Sequence, residues 1–391
     1  MKKQFASLAV VVLLFLALPV ISQTPDVSRM RAQSLIQVAP FLGNAGTPIG
    51  LSPVQYKSAY GLNRIPNQGQ GQTIAIVSPD DAPGIDSDLA IFASYFHLGP
   101  CNFQKVKIGN PPPNHGWDLT ESATVEQACA LAPQANIILV EANSESFSDV
   151  FAAVAVASAP PYNATVVNLP FAFGEFQGEQ AYDSYLCNIQ NSNGQPVTFV
   201  AASAGCRATY PAASSCVISV GGTSLTLSTP LPPANPMQIR YGQEFGWTGG
   251  GGGVSQYEPQ PAWQHPACTQ STNTRCVPDV AADGDPNTGV PVYDTYSYGG
   301  WVTVGGSSIS SSDWAAFLTL VNGQRVSQNK STLSQTAQDL YSLYYSGNSG
   351  NYFHDVTTGS FCDAGPGYDR DTGIGTYQAN SLSSALVADP N

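Results

Sequence analysis

Short apolar runs that alternate with helical patterns constrain the fold of this chain most strongly. The runs that predict strands are residues 72–78, 136–141, 164–169, 197–203 and 216–221. The patterns that predict helices are residues 86–96, about 120–131, 147–158, 178–191 and about 333–345. Because each strand is apolar without interruption, both faces of the sheet must be covered. We therefore expect an α/β fold with a mostly parallel central sheet, helices on both faces, and ligands beyond the carboxyl ends of the strands.

The N-terminus has the composition of a secretory signal peptide. Residues 1–22 combine Lys2 and Lys3, an apolar run and small residues near Ser22. A membrane anchor is the weaker interpretation, because the apolar run is short for a bilayer span. We expect a secreted, extracellular protein in which residues 23–48 form a linker or a residual pro-segment. Residues 49–391 then form one domain, loop-rich after Gly222.

The charge balance limits the classes of partner. Lysine and arginine number 14 against 27 acidic residues, for a net charge of −13. This acidity argues against nucleic acid and anionic lipid as partners. Charged residues make up 10% of the chain, against about a quarter in ordinary globular proteins. Adaptation to an acidic medium and a generic secreted surface both remain open as explanations.

Eight cysteines behind a signal peptide predict disulfides. Cys206–Cys216 and Cys268–Cys276 would close short loops, and we expect these two pairs. The other four cysteines cannot be paired from the sequence. No CxxC spacing occurs, so a zinc site is not expected.

Residues 302–318 form the candidate catalytic segment. They predict a β-branched strand, a tight turn at Gly305 and Gly306, and a helix that begins with small hydroxyl residues. A serine at a helix start has free backbone N–H groups and the helix dipole beside it, and both favour a developing oxyanion. Ser308 is therefore the candidate nucleophile. A glycine- and serine-rich turn that only caps a helix is the structural alternative.

A serine nucleophile needs a base, and histidine is a poor candidate here. The chain has four histidines, and none stands in a sequence context typical of a Ser-His-Asp peptidase. A structural role is the plainer interpretation of each.

A set of motifs in order resembles the sedolisin family, the serine-carboxyl peptidases. The resemblance starts at residues 51–56 and covers about 340 residues. Its motifs are GQTIAIV at 71–77, EQACALAPQANIILVEA at 126–142, YPAASSCVISVGGTSL at 210–225, GGGVSQYEPQPAWQ at 251–264, VPDVAADGDPNTGV at 277–290 and GGSSISSS at 305–312. It implies a subtilisin-like fold, peptide or protein substrates, and an acid endopeptidase or tripeptidyl peptidase in active members. We expect a monomer.

The resemblance also implies a carboxylate pair in place of the histidine base. In an acidic medium a histidine with a pKa of about 6.5 is protonated, whereas a coupled glutamate still accepts a proton. The pattern is WxxExxxDxE, with both acids on one helix. Alignment on Trp117 and on Ala132-Pro133 places Thr120 at the base position and Thr124 at the position of its acid partner. Neither threonine accepts a proton at acidic or neutral pH.

The remaining site positions also differ from the family pattern. The oxyanion aspartate position falls on Gly205, which offers no side chain to an oxyanion. The serine motif GTSxxxP is replaced by Gly306-Ser307-Ser308 with Ser312 at the proline position. Of the four residues implied to carry catalysis, only Ser308 is present. Glu121, one residue from Thr120, is the candidate substitute base, and a structural glutamate is the plainer alternative.

A calcium loop is implied in the tail at residues 353–376. The Gly-x-Gly-x-Asp pattern lets backbone carbonyls turn inward beside a carboxylate, which suits the six or more oxygens that Ca²⁺ requires. A metal-free turn cluster is the alternative. The implied ligands are the carboxylates of Asp355 and Asp369 and the carbonyls of Val356, Gly365 and Gly367.

Three functions follow from these residues. The first is a degenerate, catalytically impaired member that keeps Ser308 and Ca²⁺ and still binds peptide. The second is an active acid serine endopeptidase that uses Glu121 or another acid as its base. The third is a secreted peptide-binding scaffold protein.

Overall fold

A mostly parallel sheet of ten strands lies at the centre of the part of the chain that the structure describes. The structure is a computed structural model that describes residues 26–40, 46–228, 239–271, 273–359 and 362–390. The predicted signal peptide, residues 1–22, lies outside the described residues.

The strands and helices follow the alternation expected from the sequence. The strands are β1 Gln33–Ser34, β2 Gln37–Val38, β3 Thr73–Pro79, β4 Asn102–Lys107, β5 Asn136–Ala142, β6 Val166–Leu169, β7 Phe171–Gly174, β8 Thr198–Ala202, β9 Thr209–Tyr210, β10 Val217–Leu227, β11 Tyr241–Gly246, β12 Val254–Pro259, β13 Thr274–Cys276, β14 Val280–Asp283, β15 Val290–Asp294, β16 Gly300–Gly305, β17 Phe353–His354 and β18 Thr376–Tyr377. The helices are α1 Pro53–Tyr60, α2 Ile85–Tyr95, α3 His115–Leu131, α4 Phe147–Ala157, α5 Ser307–Ser327, α6 Thr336–Tyr345 and α7 Ala379–Ala388.

The central sheet has the order β17-β18-β14-β10-β8-β6-β3-β5-β4, and β11 pairs with β10. The strands from β14 through β4 pair in parallel, whereas β11 and β17 are antiparallel to their neighbours. Smaller sheets join β1-β7-β9 and β15-β16-β2 beside it. The predicted α/β architecture with a mostly parallel sheet is confirmed.

Successive side chains of β3 point to opposite faces of the sheet, and both faces are buried, which explains why the strand sequence is apolar at consecutive positions. Ile74 and Ile76 belong to one buried cluster, whereas Ala75 and Val77 belong to the cluster on the opposite face. Residues of α3 and α5 pack in the first cluster and residues of α4 in the second. The sheet is therefore covered on both faces.

Two predicted elements differ in detail. Residues Glu179–Tyr185 form a 3₁₀ helix instead of the α-helix predicted over 178–191. The helical pattern stops there because the chain turns at Leu186 toward Cys187, which is bonded to Cys216. Helix α3 starts at His115, five residues before the predicted boundary, because the Asn114 side chain accepts a hydrogen bond from Gly116 N at 2.9 Å and caps it.

The disulfides are Cys101–Cys129, Cys187–Cys216, Cys206–Cys362 and Cys268–Cys276. The predicted Cys268–Cys276 bond is confirmed, and the predicted Cys206–Cys216 bond is wrong. The reason is topological. Cys206 follows the carboxyl end of β8, whereas Cys216 precedes the amino end of β10, and the two strands are parallel. The two cysteines therefore lie at opposite ends of these neighbouring strands, although they are close in sequence.

Among the described residues, no helix combines the length and the apolar character that crossing a bilayer requires.

Candidate active site

Ser308 lies at the start of α5, immediately beyond the carboxyl end of β16. Gly306 makes the connection with a φ of +116°, and α5 begins at Ser307. The predicted strand, glycine turn and helix are therefore all present. The Ser308 side chain is fully buried, and its Oγ donates a hydrogen bond to the backbone carbonyl oxygen of Pro170 at 2.8 Å. Pro170 lies between β6 and β7, at the edge of the sheet where a ligand is expected.

Thr120 and Thr124 lie on α3, which packs against α5. Thr124 Oγ1 donates to the carbonyl oxygen of Thr120 at 2.7 Å, and Ser312 Oγ donates to the carbonyl oxygen of Thr124 at 3.3 Å. The Thr120 hydroxyl lies 2.6 Å from that of Ser34. Neither threonine contacts Ser308 Oγ among the described hydrogen bonds. Both threonines hold neutral hydroxyls in a fully buried setting, so neither position supplies a base.

Gly205 occupies a left-handed turn after β8, with a φ of +72°. Its N–H donates to the carbonyl oxygen of Gly250 at 2.8 Å, and a Cβ built on it would meet no atom within 4 Å. The position that the resemblance assigns to an oxyanion aspartate therefore has room for a side chain but carries none.

The glycine run 249–253 is packed rather than a loose linker. A Cβ on Gly250 would overlap the backbone of Gly222, and one on Gly253 would overlap the backbone of Arg207. Ser203 Oγ also donates to the carbonyl oxygen of Gly251 at 3.0 Å. The run therefore holds the Gly205 turn by close backbone contact.

Glu121 does not reach Ser308 in this structure. Its buried carboxyl group faces Ser78 and Glu141, at the edge of the sheet beyond β3 and β5. Burial raises the pKa of Glu121 well above its usual value, and the charge of Glu141 adds to this effect. Because this carboxyl group lies beside Ser78 and Glu141, it is not placed to accept the proton of Ser308.

Glu126, also on α3, is a structural residue. It is buried, and its Oε2 accepts a hydrogen bond from Tyr293 N at 3.0 Å. Burial raises the pKa of Glu126 well above its usual value.

Sequence reasoning missed three residues that fill the space between α3, α5 and the sheet. Asn168 Nδ2 donates to Ser312 Oγ at 2.8 Å, and Pro170 and Ser34 contact Ser308 and Thr120 as described above. Asn168 and Pro170 were detectable as polar or irregular positions at the end of an apolar run. Ser34 carried no such signal.

The predicted calcium-loop residues come together in the structure. Gly367 N donates to Asp355 Oδ2 at 3.0 Å, and Gly365 N donates to Asp369 Oδ2 at 3.0 Å. The carbonyl oxygens of Val356, Gly365 and Gly367 accept no hydrogen bond from the described residues. Two carboxylates and three carbonyls are the ligand types that Ca²⁺ takes. Both oxygens of Asp369 already accept backbone hydrogen bonds, Oδ1 from Asp371 N at 2.8 Å and Thr372 N at 2.7 Å, and Oδ2 from Gly365 N at 3.0 Å. No group of three or more His, Cys, Asp or Glu side chains in the described ranges is placed to hold a metal.

Several known proteins are similar to this chain in sequence. The chain is 28% identical over 391 residues to kumamolisin from Bacillus sp. (strain MN-32), covering 88% of this chain and 65% of that protein. It is 25% identical over 378 residues to sedolisin from Pseudomonas sp. (strain 101), covering 88% of this chain and 62% of that protein. The chain thus spans less than two thirds of the length of these relatives. No family model matches the chain.

A solved structure shares the fold. It is described as Pseudomonas sedolisin (serine-carboxyl proteinase) complexed with two molecules of pseudo-iodotyrostatin. It matches with a TM-score of 0.72 at 22% identity, covering 88% of this chain and all of the other. The parallel sheet, the helices on both of its faces and the serine at the start of α5 define the subtilisin-like α/β class. The sequence matches and the shared fold support a relationship to the sedolisin family.

Proposed function

We propose that this chain is a secreted, catalytically impaired sedolisin-family protein that binds peptides without cleaving them. One observation carries the proposal. The proton of Ser308 points at a backbone carbonyl oxygen, that of Pro170, and both positions implied for the acids hold threonine. A carbonyl oxygen accepts a hydrogen bond but does not take up the proton, so the serine stays a neutral, weak nucleophile.

The magnitude of the expected defect follows from acid–base catalysis. A positioned base contributes about 10²–10⁴-fold to the rate. A missing oxyanion donor costs about a further 10²–10³-fold in enzymes where one has been removed. The absence of an acid at positions 120, 124 and 205 therefore removes most of the catalysis that the family mechanism implies.

Secretion and calcium binding belong to the same proposal. Four disulfides are typical of an oxidising, extracellular compartment and support the signal peptide inferred from residues 1–22. Bound Ca²⁺ would neutralise the carboxylates of Asp355 and Asp369 and so stabilise the tail against β14. Neither residue takes part in the chemistry of Ser308.

A fluorogenic peptide library, assayed from about pH 2.5 to pH 7, tests the proposal. We expect no turnover above that of the Ser308→Ala variant at any pH. Turnover in the unmodified chain that this substitution abolishes would show an active serine endopeptidase with a different base, and would refute the proposal.

A further inference from the structure

A cavity of about 230 Å³ lies at the β17 edge of the central sheet, and Ser308 is not among the residues that line it. Four parts of the fold form its walls, namely the end of α1 with the turn that follows, the start of β11, β17 and the start of α7. Two arginines, Arg64 and Arg240, border this cavity, and no acidic residue of the described chain does so. The cavity is therefore a positively charged site on an acidic protein.

Neither arginine has a partner in the part of the chain that the structure describes. No carboxylate lies within ion-pair distance of Arg64 or Arg240, and no group accepts a hydrogen bond from either side chain. The buried Arg275, by contrast, pairs with Asp279 at 2.6 Å. The chain has 27 acidic residues against 14 basic ones, so two unpaired arginines at one cavity are a local exception. Their like charges repel each other, and a bound anion would reverse that unfavourable interaction.

The backbone near both arginines is fixed against α1. Gly61 ends this helix with a φ of +81°, and the chain turns there into the 3₁₀ helix Leu62–Arg64. On the last turns of α1, Ser58 Oγ donates to the carbonyl oxygen of Ile239 at 2.7 Å, which holds the residue before Arg240. Two segments that are distant in sequence therefore bring their arginines to the same helix end.

A stacked pair of rings forms another wall of the cavity. The rings of Tyr241 and His354 are nearly parallel, and their centroids lie 3.6 Å apart. The ring of Tyr60 packs against that of Tyr241, with 6.4 Å between the centroids. This packing makes the wall beside the arginines rigid, and a site formed in advance loses less conformational entropy when a ligand binds.

The start of α7 adds hydrogen-bond donors to the two guanidinium groups. Its N-cap residue, Gln378, provides no side-chain cap, and Leu382 N donates to the Gln378 carbonyl oxygen at 3.0 Å. The N–H groups of Ala379, Asn380 and Ser381 have no backbone acceptor among the described residues. Free N–H groups and the helix dipole at this end both favour a negative charge.

These groups together select a small oxyanion. A guanidinium group offers parallel N–H donors that match two oxygens of a phosphate group. The cavity is smaller than the about 300–1,000 Å³ of pockets that hold drug-sized ligands, so its ligand is small. A phosphate group carries a charge of about −1.5 to −2 near neutral pH, which matches two arginines better than a single carboxylate does.

We propose that this cavity binds a phosphate group, either inorganic phosphate or that of a small phosphomonoester, between Arg64 and Arg240. The bound group would link the end of α1, the start of β11 and the start of α7. The site does not involve Ser308, so the inference is independent of the proposed function.

Calorimetric titration of the full chain with inorganic phosphate tests the inference. It is done at constant ionic strength without Ca²⁺, at about pH 7.5, where phosphate is mostly a dianion. We expect one phosphate per chain, and we expect Arg64→Gln and Arg240→Gln each to weaken binding about 10- to 100-fold, because hydrogen bonds to a charged group are lost. Arg64→Lys should recover only part of the affinity, because lysine keeps the charge without the planar fork.

Arg29→Gln is the matched control. Arg29 is exposed and does not line the cavity, so this variant loses the same charge and should bind phosphate like the parent. Equal affinity of Arg29→Gln and of the double variant Arg64→Gln/Arg240→Gln, with the melting temperature of each unchanged, would overturn the inference. No binding of phosphate by the parent chain and no binding of a phosphomonoester would also overturn it.

Glucose 6-phosphate distinguishes the two sources of the phosphate group. Binding of this ester that the double variant loses would support the inference and show that the cavity admits a phosphomonoester. Binding of inorganic phosphate alone, lost in the same variant, would support it and identify the free ion as the ligand. Glucose lacks the phosphate group and should not bind, and glucose that bound as tightly as its phosphate ester would contradict recognition through the arginines.

Discussion

Ser308 Oγ lies 2.8 Å from the carbonyl oxygen of Pro170 and donates its hydrogen bond there. The hydroxyl therefore satisfies a buried acceptor and links α5 to the segment between β6 and β7. In this structure Ser308 acts as a structural residue at a position that the family resemblance assigns to a nucleophile.

The Ser308→Ala variant should therefore be less stable. Loss of the hydroxyl leaves the buried carbonyl oxygen of Pro170 without its donor, which costs roughly 1–2 kcal/mol in the free energy of unfolding. Chemical denaturation measures this. Ser384→Ala is the matched control, because Ser384 is exposed and its Oγ bonds only to the carbonyl oxygen of Asn380 in its own helix. Equal unfolding free energies for the two variants would contradict the structural role.

Thr120→Glu should release the strap, the extended segment of residues 33–38, from its contact with α3. The glutamate side chain is larger than threonine and would enter a fully buried space already filled by Ser34. Ionising the carboxylate there is costly unless water enters, so the strap should leave. Hydrogen exchange read by mass spectrometry should show faster exchange of residues 33–38 in Thr120→Glu at pH 7. Thr120→Ser, which keeps the hydroxyl, should exchange like the parent, and unchanged protection in the glutamate variant would contradict the strap contact.

Acid should stabilise the folded protein. Burial raises the pKa of Glu179 to about 9, that of Glu258 to about 8 and that of Glu141 to about 7. In the unfolded chain a glutamate has a pKa of about 4.3, so the folded state binds these protons more tightly. Their contribution to stability is present at pH values below the unfolded pKa and is lost as the pH rises through the folded values. The melting temperature should therefore fall between about pH 5 and pH 9.

A single substitution tests which carboxyl groups cause the fall in melting temperature with rising pH. Glu258→Gln mimics the protonated acid and should flatten the decline in melting temperature between about pH 5 and pH 8. Asp86→Asn removes a charge at an exposed site and should leave the slope unchanged. A melting temperature that stays constant or rises toward pH 9 in the parent would show that these carboxyl groups are not buried as described.

Calcium should stabilise the tail. If the loop at 355–369 binds the ion, Ca²⁺ at about 100 times its Kd should add about 2.7 kcal/mol to the free energy of unfolding. Asp369→Asn should abolish this gain, and Asp86→Asn should not. The measurement is the shift in melting temperature on adding Ca²⁺ or a chelator. An equal shift in parent and Asp369→Asn would contradict the ligand assignment.

Much of the fold was predictable because the apolar strands carry a direct signal. The run at 72–78 is apolar at successive positions, and the structure buries Ile74 and Val77 on opposite faces of the sheet. Disulfide pairing was less predictable, because it depends on whether each cysteine lies at the amino or the carboxyl ends of the strands. Cys206 and Cys216 are near in sequence but lie at opposite ends of the parallel strands β8 and β10, so spacing alone predicted the wrong pair.

The site was predictable only where a local motif marks it. The glycine turn and helix start around Ser308 are visible in the sequence, whereas the partner of its hydroxyl is a main-chain atom of Pro170 and has no side-chain signature. The strap was invisible for a related reason. Its pairing with β7 and β16 is made by backbone, and Gln33 to Val38 have no period that distinguishes a strand from a linker.

The most direct test of the account is covalent labelling of Ser308 by a fluorophosphonate probe, read by peptide mass spectrometry. The protein is first cleaved at a protease site inserted between Gly46 and Thr47, both exposed, so that residues 33–38 can leave. A serine peptidase of known activity in the same tube serves as the positive control. We predict that the control is labelled to completion while Ser308 stays unmodified from about pH 4 to pH 8, because no neighbouring group takes its proton. A stoichiometric adduct on Ser308 would contradict the central claim and show that a base reaches this hydroxyl.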